Sequence, residues 1–211
     1  RSLEPDMAVM TSTNLVNLAK TLQQCNEITL ERYINQLEEC YYEHEPEVLA
    51  FVSQENRFQR LLIDGRALIA QYPNRDTRPP LFCVPVGIKD IFHVQGFPTH
   101  AGSMLPHEEL QGHEADSVSR LKAAGALIMG KTVTTEFAYF APGPTRNPHN
   151  TKHSPGGSSS GSAAAVGAGL CPLSLGTQTI GSITRPAAYC GVVGYKPTYE
   201  RISRSGVIPL A

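Results

Sequence analysis

Three short segments set a lysine or a serine beside glycines where an apolar run or a turn ends: GIKD (87–90), GGSSSGS (156–162) and GTQTIGS (176–182). A lysine in an apolar setting, as Lys89 is in PVGIKDIF, loses its proton more readily because burial penalises the ammonium. The free amine can then act as a base. A serine on a tight turn after a strand becomes a nucleophile once a base removes its proton. The stretch GTQTIGSITRPAAYCG (176–191) has that form, with glycines and small hydroxyl residues directly after the apolar CPLSL. A plain surface turn accounts for the glycines and serines but not for the apolar residues on both sides. Each segment also has a plainer reading: Lys89 snorkelling to the surface from a strand end, and Ser158 and Ser182 as turn residues bonded to nearby backbone. Any one segment decides nothing. The three in order carry the information.

Other chemistries find less support. GSSSG (157–161) has the letters of a hydrolase elbow without the alternating strand before it. GKT (130–132) lacks the upstream glycine of a phosphate loop. His149 and His153 have helical spacing but stand among Pro, Asn and Thr, where surface histidines are the simpler reading, so no metal is assigned. Cys25, Cys40, Cys83, Cys171 and Cys190 are an odd number without a Cys-x-x-Cys and read as buried, reduced thiols of a cytoplasmic protein.

The chain is 41% hydrophobic and 18% charged, enough to bury a core. Eighteen Lys and Arg against nineteen Asp and Glu leave a net charge of −1, which offers no electrostatic reason to expect nucleic acid or an anionic membrane. No apolar run reaches bilayer length, and no charged-then-apolar leader opens the chain. The opening residue, Arg1 rather than Met, reads as a processed end.

The elements that must carry these residues follow from periodicity. Leu15, Leu18 and Leu22, then Leu30, Tyr33, Ile34 and Leu37, recur at three- and four-residue steps and predict two helices, the second starting near Thr29 after Asn26. A third helix fits 55–70, with Phe58, Leu61, Leu62, Leu68 and Ile69 inward, before YPNRDTRPP (72–80) breaks the pattern. LFCVPVGIKD (81–90), ALIMGKT (126–132) and CPLSLGT (171–177) read as buried strands, with a helix at 116–124 between the first two. Residues 154–169, SPGGSSSGSAAAVGAG, resemble a linker, yet Ala163 to Val166 suit a closely packed helix fed by a Gly/Ser turn. The order predicts an α/β fold whose mixed, largely parallel sheet is flanked by helices. Residues 1–75 form a helical layer on a core of 76–211.

PVGIKDIFHVQGFPTHAGS, TRNPHNTKHSPGGSSSGSAAAVGAG and LGTQTIGSITRPAAYCGVVGYKPT together resemble the amidase signature family. The likeness runs from Pro85 to the C-terminus, and the preceding helices suit that family's N-terminal layer. The resemblance implies an amidase-signature fold and a Ser–cis-Ser–Lys triad: Lys89 as base, Ser158 as the cis serine, Ser182 as nucleophile. The family's two serines stand 24 positions apart, the separation of Ser158 and Ser182. It further implies an oxyanion hole from the N–H groups of Thr179, Ile180, Gly181 and Ser182, where one lost donor typically costs roughly 3–4 kcal/mol. Gly157, Ser159, Gln178 and Arg185 are the supporting residues, and no cofactor is required.

Two departures stand out. Gln178 replaces the aspartate of many relatives, and Ile180-Gly181-Ser182 replaces Gly-Gly-Ser. With the placement of Arg185, these favour a stand-alone amide hydrolase over the amidotransferase subunit of tRNA charging. Family domains also run well beyond this length, so the resemblance implies the N-terminal half of a domain, completed by a C-terminal remainder. The expected partner is a small-molecule amide, and a homodimer is compatible. The alternatives are a transferase subunit fed ammonia by a partner glutaminase, or an inactive fragment. Ureido, aryl and aliphatic amides are not distinguished.

Overall fold

The computed structural model describes residues 14–209; the Arg1 opening lies outside the described residues. Helix α1 (Leu15–Gln23) starts at Asn14, whose side chain accepts the Asn17 N–H at 3.0 Å. Helix α2 (Glu27–Val48) begins two residues before the predicted Thr29. Asn26 is the cap: its Oδ1 accepts the Thr29 N–H at 2.9 Å, and Thr29 Oγ1 accepts the Asn26 N–H at 2.7 Å. This reciprocal box satisfies two of the amide donors that a helix start leaves open. Helix α3 (Arg57–Gln71) buries Phe58 and Leu61 but only partly covers Leu62, Leu68 and Ile69. Gly65 lets it lie close on α2, since a Cβ there would strike the Leu30 side chain.

Strand β1 (Pro85–Lys89), helix α4 (Asp116–Ala123), strand β2 (Leu127–Thr132), helix α5 (Ser160–Gly167), strand β3 (Leu173–Leu175) and helix α6 (Thr184–Tyr189) complete the regular elements. The sheet order is β2–β1–β3 and both pairings are parallel. Antiparallel contacts in the described residues are isolated bridges, such as Phe51 with Thr132 and Phe92 with Val207. β1 and β2 are buried at every residue, as parallel strands covered on both faces must be. β3 departs from the buried strand expected at 171–177: it is shorter and half-buried throughout. β2 is also an edge of the sheet, but α3 packs on it and the segment after α2 bonds the Lys131 carbonyl and the Val133 N–H, which β3 has no counterpart for among the described residues.

The helical layer and the sheet share one apolar core, which runs from Leu18 and Leu22 through Leu61 and Ile88 to Cys190. Arg57 ties them further. Its guanidinium is buried, donates to the carbonyls of Met129 (2.8 Å) and Val52 (3.0 Å), and stacks on Tyr41 and Phe51. Residues 160–167 form a helix of small buried residues, not a linker, and it packs on all three strands. A chain of bonds fixes where α5 starts. Glu45 accepts the Ala50 N–H, Ala50 O accepts from Val133, and Val133 O accepts from Gly161, at 3.0, 2.9 and 2.9 Å. A Cβ on Gly161 would fall on the Ala50 carbonyl oxygen.

All five cysteines are free; Cys25, Cys83, Cys171 and Cys190 are buried, while Cys40 is only half-buried beside the Ala168 and Gly169 carbonyls at the end of α5. No helix among the described residues is long and apolar enough to cross a membrane.

Candidate active site

Lys89 ends β1 with 0% of its surface exposed, so it does not snorkel to solvent. Its Nζ lies 2.7 Å from Ser158 Oγ and 2.7 Å from Thr177 Oγ1. Burial without a carboxylate contact brings its pKa down to about 7, so a neutral amine is readily populated near neutral pH.

Ser158 is 2% exposed and follows Gly157 through a cis peptide bond. Its carbonyl accepts the Thr135 N–H at 3.1 Å. The Gly157 carbonyl is gripped by Arg185, whose Nε and Nη2 donate at 3.1 and 2.8 Å. Ser159 stitches two segments together. Its hydroxyl donates to the Thr177 carbonyl and accepts the Thr177 N–H, both at 3.2 Å, while its N–H donates to the Ser182 carbonyl at 3.2 Å.

The turn from Gly176 to Ile183 is organised by Gln178. Its Oε1 accepts the N–H groups of Ile183 (2.8 Å) and Thr184 (2.9 Å) and the Thr184 hydroxyl (3.2 Å), closing the turn over the start of α6. Among the described residues, the N–H groups of Thr179, Ile180, Gly181 and Ser182 are given to no protein acceptor. The Ile180 side chain is 88% exposed.

The sequence-predicted residues therefore gather in two degrees. Lys89 and Ser158 touch directly. Ser182 is half-buried and joined through its backbone; among the described residues its hydroxyl makes no hydrogen bond. Gly157, Ser159, Gln178 and Arg185 all hold the surrounding backbone. Sequence reasoning does not find Thr177, although sheet pairing points to it: Leu175 lies opposite Ile88, so the chain leaving β3 passes beside Lys89. Nor does it find the buried ion pair of Lys131 with Asp90.

Beyond Gly157 opens a cleft of about 360 Å³, lined by Thr135, Tyr139, Phe140, Ser160, Arg185 and Tyr189 among others. His149 and His153 lie exposed, His149 within 2.9 Å of the Cys190 carbonyl. Among the described residues no group of three or more His, Cys, Asp or Glu could hold a metal ion.

The chain is similar to a glutamyl-tRNA(Gln) amidotransferase subunit of Nitratidesulfovibrio vulgaris (strain DP4), 48% identical over 158 residues, covering 72% of this chain and 32% of that protein. One solved structure matches at a TM-score of 0.82 and 34% identity, covering 93% of this chain and 44% of the other; it was described as a vestigial complex revealing the origins of an s-triazine catabolic enzyme. Peptide amidase from Stenotrophomonas maltophilia matches at 0.78 and 33%, covering 93% and 42%. The chain thus spans about a third of the curated relative's length and less than half of either solved structure. The Amidase family model matches residues 31–211. With the fold, the three sequence blocks and these matches in agreement, the chain belongs to the amidase family.

Proposed function

We propose that this chain carries the catalytic half of an amide hydrolase, with Ser182 as nucleophile, Ser158 as proton relay and Lys89 as base. The observation that carries this reading is the buried Lys89 amine held between Ser158 and Thr177. A neutral amine has two hydrogens and one lone pair. Donation of one hydrogen to Thr177 leaves the lone pair free to receive the Ser158 hydroxyl proton. Ser158 then takes the proton of Ser182 as Ser182 Oγ attacks the amide carbonyl carbon. The tetrahedral oxyanion is held by the uncommitted N–H groups of Thr179 to Ser182, which Gln178 keeps in place. The relay returns the proton to the departing nitrogen, the C–N bond breaks, and water releases the acyl group from Ser182 by the same path.

The exposed apolar residues on this side support completion of the pocket by further polypeptide: Ile180, Tyr189, Val193 and Tyr195 are bare, and the far side of β3 is unpaired among the described residues. We read residues 1–75 as a layer of the same unit as 76–211, acting on a small-molecule amide in a reducing, cytoplasmic setting that suits five free thiols. A homodimer is compatible with this reading. The second reading is an amidotransferase component passing on ammonia, favoured by 48% identity to a protein named for that role. Release of ammonia into solvent without a partner protein would speak against it.

A fluorophosphonate probe tests the proposal. Modification mapped to Ser182, and lost in Ser182→Ala, is the expected result. No modification of folded protein, in the presence of whatever chain completes it, would overturn the mechanism.

A further inference from the structure

One buried charged pair has no part in the chemistry above. Lys131, on β2, meets Asp90, the residue after Lys89, at 2.6 Å, and the two side chains are 3% and 1% exposed. The Lys131 ammonium also donates to Thr99 Oγ1 at 3.1 Å and the Pro98 carbonyl at 3.4 Å. The second carboxylate oxygen of Asp90 accepts the His100 N–H at 3.1 Å. Lys89 lies opposite Thr132 in the sheet, and the Asp90 N–H bonds the Thr132 carbonyl at 2.9 Å. Lys131 itself lies opposite Ile88, so the ion pair and the buried amine sit on the same two strand ends but on opposite faces of the sheet.

A buried ion pair contributes little net stability compared with well-packed apolar residues of the same volume. Its charges nevertheless act on their neighbours. A bare carboxylate one residue from Lys89 would favour the ammonium form and oppose removal of a proton from Ser158. Resting on the reading of Lys89 as the base, we propose that Lys131 is a positioning residue that cancels the Asp90 charge and so holds Lys89 in its neutral form.

The other titratable and charged groups around the pair lie toward the surface or are committed elsewhere. His93 shares the Thr99 hydroxyl, at 3.2 Å, and His113 stands beyond it, bonded to Ser205. Glu114 is paired with Lys122, and His100 contributes its backbone. The segment at the start of α5 offers serine hydroxyls, the turn after β3 offers Thr177, and α6 offers Arg185, which is bound to Gly157.

The test reads Lys89 itself. Protein labelled with carbon-13 at the lysine ε position gives a signal for Lys89, assigned by its loss in Lys89→Met, whose shift follows protonation without any substrate. Lys131→Met is expected to raise the Lys89 midpoint by about one pH unit, and Asp90→Asn/Lys131→Met to return it to near the wild-type value. An unmoved midpoint in folded Lys131→Met overturns the proposal. So does a midpoint that stays raised in the double variant, since Asp90 would then not be the cause. If Lys131→Met does not fold, Lys131→Gln, which keeps a donor toward Asp90 and Thr99, carries the same test. Failure of Ser182 labelling would remove the base reading while leaving this midpoint measurable, so the two failures are distinct.

Discussion

The N-terminal helices and the turn after β3 treat their polar and apolar groups in opposite ways. α1 and α2 begin with side-chain caps, and Leu18, Leu22, Leu30 and Ile34 are nearly or wholly withdrawn from water. In the turn, four successive N–H groups stay uncommitted among the described residues and Ile180 is 88% exposed, while Val193, past α6, is 97% exposed. The first region spends its residues on folding. The second keeps donors open and apolar surface uncovered, which is what binding an oxyanion and meeting further polypeptide require. On the proposed mechanism, stability and reactivity are carried by separate stretches of chain, and substitutions should separate them too.

The largest effect should come from the reactive side. Ser182→Ala is expected to remove probe labelling and lower any amidase activity by roughly 10⁴-fold or more, with a circular dichroism spectrum and melting temperature like those of the wild type. A large fall in melting temperature would show that Ser182 belongs to the stabilising region after all. Next comes Leu30→Ala in the helical layer. Deleting this buried side chain should cost about 2–5 kcal/mol in a denaturant titration, while the folded fraction labels at the normal rate.

Acidity divides the regions in a third way. Lys89 is neutral above about 7, so the labelling rate should rise as pH climbs through that value and then level off. Because the folded pKa lies below the ordinary lysine value of 10.5, the unfolded chain binds the extra proton between about 7 and 10.5. Lys89 should therefore make stability rise with pH across that window. A labelling profile flat from pH 5 to 9 would remove Lys89 from the reaction.

The smallest effects form a matched pair. Asn26→Ala and Gln178→Ala each remove a side-chain acceptor from a helix start, a loss of about 1 kcal/mol. The first should appear as a lower melting temperature and the second as slower labelling. If both appear only in melting, the turn is scaffold rather than cradle.

How much of this is legible in the sequence depends on the distance over which each contact forms. β1 and β2 can be read because strands covered on both faces are continuous apolar runs. The contact of Lys89 with Ser158 can be anticipated, and Ser182 singled out as a candidate beside them, because each stands in a block with its own glycine and hydroxyl pattern, and the blocks follow in order. The start of α2 falls two residues from its expected place because Thr29 and Asn26 are both good capping residues and they act together; only geometry shows which is the cap. The apolar composition of β3 suggests burial, but an edge strand is buried only where other chain covers it, as α3 and the segment after α2 cover β2. Thr177 and the Asp90–Lys131 pair depend on which strands lie side by side, and no local pattern records that.

Gly161 carries a consequence for how errors spread through the molecule. With no room for even a methyl group against Ala50, the first turn of α5 has a single seating depth, set by the segment that follows α2. Ser158 stands just three residues upstream of that stop. The end of the helical layer therefore acts as a gauge for Ser158, the proposed relay, and a fault in the segment after α2 is expected to reach it as a misplaced serine.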